Sequence, residues 1–296
     1  MSSYLLEVDE KNNDLRLDVF LAKNLADIPS RNFAQKLIDE QKVTVNGRVV
    51  KAHEKVLCGD RINVDAELSF RDNVEPENIA LDIFYEDEGI LVVNKDPGML
   101  VHPAAGRNSG TLVNAILYHC KTLSDVNSSF RPGIVHRLDE ATSGLIVVAK
   151  NNIAHTRLAE QFEKHTVKKQ YLALVEGLVE FDEGLIDASL GRHPRQREKQ
   201  SVLAYDAREA KTVYRVLRRS QRNSLVALFP ETGRTHQLRV HMAHLGHPIL
   251  GDEKYGKKSS FHRLALHAQS LGFLHPVSLA YLEFTTQFPA DFKEMP

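Results

Sequence analysis

The N-terminal part of the chain carries two apolar stripes at helical spacing, followed by an alternating segment. The first stripe consists of Leu17, Phe20, Leu21 and Leu25, which predicts an amphipathic helix. A second stripe follows Ser30, which is therefore the predicted N-cap of the next helix. The run VTVNGRVV then alternates around Asn46 and Gly47, a pair favoured by type I′ hairpin turns. Together these elements predict a small helix–helix–hairpin domain over 15–65.

A polar stretch separates this domain from a longer and more varied pattern. We take 66–80 as a linker and 81–296 as a second domain. Apolar strand-like runs are GLIVVAK, KKQYLALVEG, KTVYRVL and LVALFP, whereas TLVNAILYHC, the segment near 152–164 and THQLRVHMAHLG are helical. Gly246 is the predicted residue just beyond the last of these helices. Because strands and helices do not alternate regularly, we predict an α+β fold with a mixed, largely antiparallel central sheet flanked by helices.

Composition narrows the class of protein. The chain has only two cysteines, Cys58 and Cys120, which excludes a disulfide framework and a CxxC zinc site. No run approaches the roughly 20 apolar residues of a membrane helix, and the N-terminus lacks a signal-peptide pattern. We therefore expect a cytoplasmic protein with no membrane segment. No phosphate loop or dinucleotide fingerprint occurs, so we expect no cofactor.

The formal net charge of −1 hides an uneven distribution of charge along the chain. Carboxylates are concentrated between Glu75 and Glu88, whereas arginine and lysine are concentrated over 192–222. A locally basic face can capture a polyanion even on a neutral protein. The same pattern is also typical of a solvated strand pair, and charge alone favours neither interpretation.

Three segments contain residues suited to chemistry. HRLDEATSG places Asp139 between apolar runs, as a candidate base or nucleophile or as an ordinary turn residue. ETGRTHQLRVHMAHLGH gathers histidines and Arg239 on a helix. It has no HExxH pattern, so we expect no metal site and favour an anion-handling role for Arg239. KKQY places Tyr171 after two lysines, where it either joins the core or stacks on a base.

In this order and spacing the three segments resemble the RluA family of pseudouridine synthases over nearly the whole chain. The N-terminal domain is similar to an RNA-binding domain of the ribosomal-protein type, which points to the RluD-like subgroup. The resemblance implies that Asp139 is the catalytic aspartate and that Arg239 pairs with it. It also implies that Tyr171 packs on the target base and that Arg137 enters the RNA stack when the uridine leaves it. The candidate RNA-binding residues are Ser30, Arg31, Lys36, Arg48, Lys168, Lys169, Arg195 and Arg197.

The implied reaction is the isomerisation of uridine to pseudouridine in RNA, which needs no metal and no cofactor. We expect the substrate to be large-subunit (23S) ribosomal RNA and the enzyme to be a monomer. Alternatives are the same reaction on transfer RNA, a ribosome-assembly factor that binds RNA, and a metal-dependent RNA hydrolase using the histidines near 236–247. Whether Asp139 attacks the sugar, attacks the base or removes a sugar proton stays open.

Overall fold

The chain divides into two compact units, one formed mainly by the residues up to Val74 and the other mainly by the residues from Glu75 onward. The computed structural model describes residues 3–25, 28, 31–65, 74–104, 107–124, 132–196, 198–202, 204–257 and 261–293. Among the predicted features, the N-cap residue Ser30 and the RNA-binding candidate Arg197 lie outside these ranges. No helix of the described ranges is long and apolar enough to cross a membrane.

The first unit is a pair of helices with a small antiparallel sheet. The helices are α1, Leu17–Asn24, and α2, Arg31–Asp39. The strands are β1 (Ser3–Glu7), β2 (Val43–Val45), β3 (Arg48–Val49) and β4 (Arg61–Asp65), in the order β1-β4-β2-β3. The predicted hairpin turn is confirmed, because Asn46 and Gly47 have φ values of 51° and 79°. Strand β1 precedes the boundary predicted at residue 15 and pairs with β4.

The second unit is built on a large mixed sheet, as predicted. Its strands are β5 (Ile83–Glu86), β6 (Ile90–Lys95), β7 (Ser143–Ala149), β8 (Lys168–Glu176), β9 (Glu183–Asp187), β12 (Lys211–Arg219), β13 (Asn223–Pro230), β14 (Leu266–Leu274) and β15 (Tyr281–Thr285). They lie in the order β5-β6-β7-β14-β8-β13-β12-β9, and β15 also pairs with β14. Strands β10 (Gly191–Arg192) and β11 (Gln200–Ser201) form a separate pair. Across the described ranges β7 and β14 are parallel, and the other pairs are antiparallel.

The helices beside this sheet are α3 (Leu112–His119), α4 (Asn152–Glu163), α5 (Gln237–His244) and α6 (Ala290–Lys293). Three of them, α3 to α5, were predicted from the sequence, whereas the short α6 was not. Thr111 and Asn151 cap α3 and α4 by accepting hydrogen bonds from backbone amides in the first turn. Gly246, with φ 85°, follows the C-cap of α5 as predicted.

The junction between β7 and β14 lies next to the segment that carries Asp139. Ser143 and Gly144 at the start of β7 pair with His267 and Ala268 of β14. Gly144 has φ 110°, and a Cβ atom there would collide with the backbone of Ala268. Only glycine therefore lets the two strands approach this closely. The rest of β7 is buried, so the loop before it stands on a rigid strand.

Candidate active site

Three separate elements bring the predicted residues to one cavity of about 630 Å³. Asp139 lies in the loop before β7, Tyr171 lies on β8, and Arg239 lies on α5. Arg137 and Lys169 also line this cavity. The structure thus places Asp139 beside Arg239, although the two are 100 positions apart along the chain.

Arg239 bridges two carboxylates inside this cavity. One terminal nitrogen donates to Oδ2 of Asp139 at 3.2 Å. Its Nε and its other terminal nitrogen donate to the two oxygens of Asp252 at 2.7 and 2.8 Å. Burial opposes the guanidinium charge, but the hydrogen bonds and charge of Asp252, together with Asp139, raise the pKa of Arg239. The predicted pairing of Arg239 with Asp139 is therefore present, and Asp252 fixes the plane of the guanidinium.

The carboxylate of Asp139 is not used to build the turn that contains it. The turn is closed by the backbone, since the amide of Thr142 donates to the carbonyl of Asp139 at 3.0 Å. Oδ2 instead faces Arg239 and, at 3.9 Å, Nε2 of His236. Within the described ranges Oδ1 has no protein partner, and the side chain is 19% exposed. The turn interpretation therefore does not account for this side chain, which faces the cavity and Arg239.

A buried lysine holds the loop of Asp139 in place. Lys95 is 1% exposed, and its ammonium donates to the carbonyls of Asp96, Met99 and Glu140 at 2.7, 2.9 and 3.1 Å. Burial lowers the pKa of Lys95 to about 8, against the opposite effect of the neighbouring carboxylates. Because Glu140 directly follows Asp139, this contact restrains the backbone on which the carboxylate stands.

Tyr171 combines the two environments that its sequence context allowed. It packs against the core of the second unit and also lines the cavity. Burial, and then the charge of Asp139, raises the pKa of its phenol, so the hydroxyl keeps its proton. Its neighbour Lys169 shares the cavity, and burial lowers the pKa of this lysine. Lys168 points elsewhere, with its ammonium 5.4 Å from the centre of the Tyr281 ring.

Two further residues complete the surroundings of Asp139. The sequence pointed to His236 only as one histidine of the metal-dependent hydrolase alternative, and it gave Tyr255 no role. His236 is the N-cap residue of α5 and adopts a left-handed conformation with φ 55°. Its Nδ1 lies 2.7 Å from the hydroxyl of Tyr255, whose ring packs against Arg239 with the guanidinium carbon 5.3 Å from the ring centre. The position of His236 within the third motif was the available signal. Asp252 is the last residue of the longer form of that motif, ETGRTHQLRVHMAHLGHPILGD, whereas Tyr255 follows it. The contacts of both depend on how the chain returns.

Two other histidines of the third motif, His241 and His247, make structural hydrogen bonds. The two ring nitrogens of His241 lie 2.9 Å from Thr212 Oγ1 and 3.0 Å from the carbonyl of Ala188. Nδ1 of His247 lies 2.8 Å from the carbonyl of Glu176. Within the described ranges, the group with metal-ligand geometry is Glu86, His119 and Cys120, outside this motif.

The RNA-binding candidates of the first unit lie at its surface, and one of them, Arg31, contacts a buried carboxylate. Arg31, Lys36 and Arg48 are exposed. Asp18 is buried and accepts hydrogen bonds from Arg16, Arg31 and Gln35. Burial alone would raise the pKa of Asp18, but the bonds from these residues lower it well below its usual range. In the second unit, Arg195 is exposed in the loop between β10 and β11.

Comparison with known proteins agrees with these motifs and this fold. A family model described as RNA pseudouridylate synthase matches residues 89–244, and one described as S4 domain matches residues 15–62. The Bacillus subtilis protein named "Uncharacterized RNA pseudouridine synthase YlyB" is 44% identical over 297 residues, which cover 100% of this chain and 97% of the relative. The Escherichia coli "Ribosomal large subunit pseudouridine synthase D" is 39% identical over 304 residues, which cover 97% and 91%.

Two other proteins extend the agreement to a second named synthase and to a solved structure. The Zymomonas mobilis "Ribosomal large subunit pseudouridine synthase D" is 45% identical over 250 residues, which cover 80% of this chain and 78% of the relative. The structure titled "Human RNA Pseudouridylate Synthase Domain Containing 1" has a TM-score of 0.60 at 30% identity, covering 72% of this chain and 85% of that chain. The resemblance read from the motifs is thus confirmed, and the chain belongs to the RNA pseudouridylate synthase family, with an S4 domain preceding the synthase domain.

Proposed function

We propose that this pseudouridine synthase isomerises uridines of large-subunit ribosomal RNA, with Asp139 as its catalytic group. The observation that carries the proposal is the ion pair between Asp139 and Arg239 at 3.2 Å inside a cavity that also contains Tyr171. Relatives named as large-subunit synthases support this RNA class over transfer RNA. A protein that only bound RNA would not need a carboxylate paired with a buried arginine inside a cavity.

The geometry around the cavity supports a role for each of four residues. Arg239 orients Asp139 through its hydrogen bond to Oδ2, and Oδ1 of Asp139 meets the target nucleotide. Tyr171 packs on the uracil once it has left its stack, and Arg137, exposed at the cavity, occupies the vacated position in the RNA. Unstacking costs a few kcal/mol, which these contacts offset.

The experiment that tests the RNA class maps pseudouridines in total RNA from cells with and without the gene. We expect positions in large-subunit ribosomal RNA to disappear on deletion and to return when the wild-type protein is supplied. Disappearance from transfer RNA alone would transfer the proposal to that substrate. An unchanged map would refute both.

Complementation with single variants tests the role of Asp139. Asp139→Asn should restore no pseudouridine, and Arg239→Ala should also be inactive because it leaves the carboxylate unpaired in a partly buried site. Glu140→Gln is the matched control, since it removes the neighbouring charge, which pairs with Arg107 at 2.9 Å. Full activity of Asp139→Asn would contradict the assignment. Normal growth with that inactive variant would favour a role in ribosome assembly.

The first unit is proposed to add affinity and orientation through phosphate contacts. Replacing Arg31, Lys36 and Arg48 with alanine should weaken RNA binding. It should also reduce the dependence of log Kd on log salt by about 0.7 to 0.9 for each phosphate that the variant no longer neutralises. Lys164→Ala is the control, because Lys164 and Lys36 both have side chains that are 65% exposed. An unchanged salt slope in the triple variant would refute this role.

The enzyme is further proposed to act as a monomer in the cytoplasm. The site is assembled from a single chain, so it needs no second copy. The two cysteines, one exposed and one buried, are consistent with a reducing compartment. Light scattering after size exclusion should give the 33.4 kDa mass of one chain, and a doubled mass would refute the monomer.

A further inference from the structure

His236 has features that the proposed roles of Asp139, Arg239 and Tyr171 do not use. It lines the reaction cavity, and its backbone is held at φ 55°, which costs a residue with a Cβ atom about 1–2 kcal/mol. Its Nε2 faces Oδ2 of Asp139 at 3.9 Å, which is too long for a hydrogen bond. Non-glycine residues in such conformations are concentrated at functional sites.

A hydrogen-bond chain determines which nitrogen of His236 carries the proton. The backbone amide of Gln200 donates to the hydroxyl oxygen of Tyr255 at 2.8 Å. The hydroxyl has one proton of its own, and Nδ1 of His236 lies 2.7 Å away to accept it. In the opposite arrangement two donors would point at one oxygen, and no other acceptor for the phenolic proton is recorded among the described residues. Nδ1 is therefore the acceptor, and the proton of the neutral ring is on Nε2.

His236 and Tyr255 are both held in the protonation states that this hydrogen-bond arrangement requires. Burial lowers the pKa of His236, although the charge of Asp139 acts in the opposite direction. Burial raises the pKa of Tyr255, so its hydroxyl keeps the proton that it donates. His236 thus presents a neutral Nε2–H group toward the cavity and toward Asp139.

We propose that His236 donates a hydrogen bond during the isomerisation, from Nε2–H to the uracil as the base separates from the ribose. Tyr255 is the positioning residue that fixes this tautomer of His236. The inference rests on the proposed role of Asp139. When the bond between C1′ and N1 breaks, its electron pair stays on the uracil, and the negative charge spreads over N1 and the carbonyl oxygens. A donor beside the reacting carboxylate stabilises this anion. The new bond joins C1′ to C5, the C5 hydrogen leaves as a proton, and N1 takes up a proton, so the reaction is balanced.

Comparing the variants His236→Gln and His236→Asn distinguishes a role of His236 as hydrogen-bond donor from a purely structural role. Glutamine places its amide nitrogen near the position of Nε2, whereas asparagine places it near Nδ1. Asparagine also tolerates the left-handed backbone better than glutamine, so backbone strain favours the variant that we expect to fail. A purely structural role for His236 would give the reverse order of activity.

The assay measures the release of tritium from total RNA that carries [5-³H]uridine, purified from cells without the gene. Under single turnover, His236→Asn should lose about 100-fold in rate, as for loss of one donor to a developing anion. His236→Gln should stay within about tenfold of wild type, and both should bind the RNA within about twofold of wild type. Equal rates for the two variants, or a wild-type rate for His236→Asn, would overturn the proposal. Because total RNA contains both ribosomal and transfer RNA, this test does not depend on which class is the substrate. Measuring the tritium lost from the separated ribosomal RNA then tests the proposed substrate independently.

A direct measurement of the tautomer covers variants that fold poorly. With ¹⁵N-labelled histidine, the His236 signals, identified by their loss in His236→Asn, should show a protonated Nε2 and an unprotonated Nδ1. In Tyr255→Phe the Nδ1 signal should move toward the protonated position, and the single-turnover rate should fall about tenfold. A protonated Nδ1 in the wild-type protein would refute the role of Tyr255 and the donor assignment with it.

Discussion

Replacing Asp252 with asparagine tests whether the orientation of Arg239 controls the reaction. The side chain of Asp252 is fully buried, and its two oxygens accept from Arg239 at 2.7 and 2.8 Å. Asparagine has nearly the same shape, but one oxygen becomes an amide group that meets a guanidinium N–H. One strong bond is therefore replaced by a contact between two donors, while the amides of Lys254 and Tyr255 keep their acceptor.

The expected cost follows from the burial of the pair. Removing one partner of a buried ion pair costs about 3–5 kcal/mol. Since Asp139 still neutralises part of the charge of Arg239, we expect the lower end, about 3 kcal/mol of unfolding free energy. A guanidinium turned away from Asp139 by about 1 Å should also lower the single-turnover rate by about 100-fold.

Urea unfolding and tritium release measure the two effects, and Asp291→Asn is the matched control. Asp291 accepts two hydrogen bonds from Arg263 at 2.6 and 3.0 Å, but this pair has no contact with Asp139. It is more exposed, at 14% and 24%, so the control should lose less stability and keep its rate. An unfolding free energy within about 1 kcal/mol of wild type together with an unchanged rate in Asp252→Asn would refute the reasoning.

Three further predictions concern the framework of the site and of the first unit. Lys95→Met should lose about 2–4 kcal/mol of stability because three carbonyls lose their donor. Folding lowers the pKa of Lys95 from 10.5 to about 8, so the unfolded chain binds more protons between these values. The contribution of Lys95 to stability should thus rise with pH across that window by at most about 1.4 kcal/mol per pH unit. Urea titrations in which the unfolding free energies of wild type and Lys95→Met change equally with pH would contradict this. Gly144→Ala should lose about 3 kcal/mol of stability from backbone strain and collision with Ala268. Gly98→Ala, with φ 86° but open space around the position, should lose about 1 kcal/mol in the same unfolding assay. Equal losses in the two variants would exclude the collision. Asp18→Asn should weaken RNA binding at low salt more than Asp14→Asn, because Asp18 holds Arg16 and Arg31 in place, and filter binding with equal affinities would refute this.

Local patterns predicted most of the helices and strands because their determinants lie within a few residues. The stripe of Leu17, Phe20 and Leu21 became the buried face of α1, and Asn46 and Gly47 adopted the positive φ values of the predicted turn. The order of strands in the large sheet was not accessible in this way. Strand β14 lies between β7 and β8, although it follows both along the chain.

The candidate site shows the same division between local and tertiary information. The pairing of Asp139 with Arg239 was predicted from motifs whose spacing resembles a known family, and the structure brings these residues to 3.2 Å. Asp252 lies 13 positions after Arg239, beyond the end of α5, and reaches it only because the chain turns back. The tautomer of His236 depends on Gln200 and Tyr255, which come from separate segments. Such contacts between distant segments leave no periodic signal in the chain.

The junction of β7 with β14 has a consequence for when the enzyme becomes competent during its synthesis. Strands β5, β6 and β7 join the rest of the large sheet through Ser143 and Gly144, whose partners belong to a strand made after α5. Closing so long a loop costs chain entropy before its contacts repay it. A nascent chain that already contains Asp139 and Arg239 therefore lacks the scaffold that holds them together until β14 has left the ribosome. Modification activity therefore requires the completed large sheet as well as the catalytic side chains.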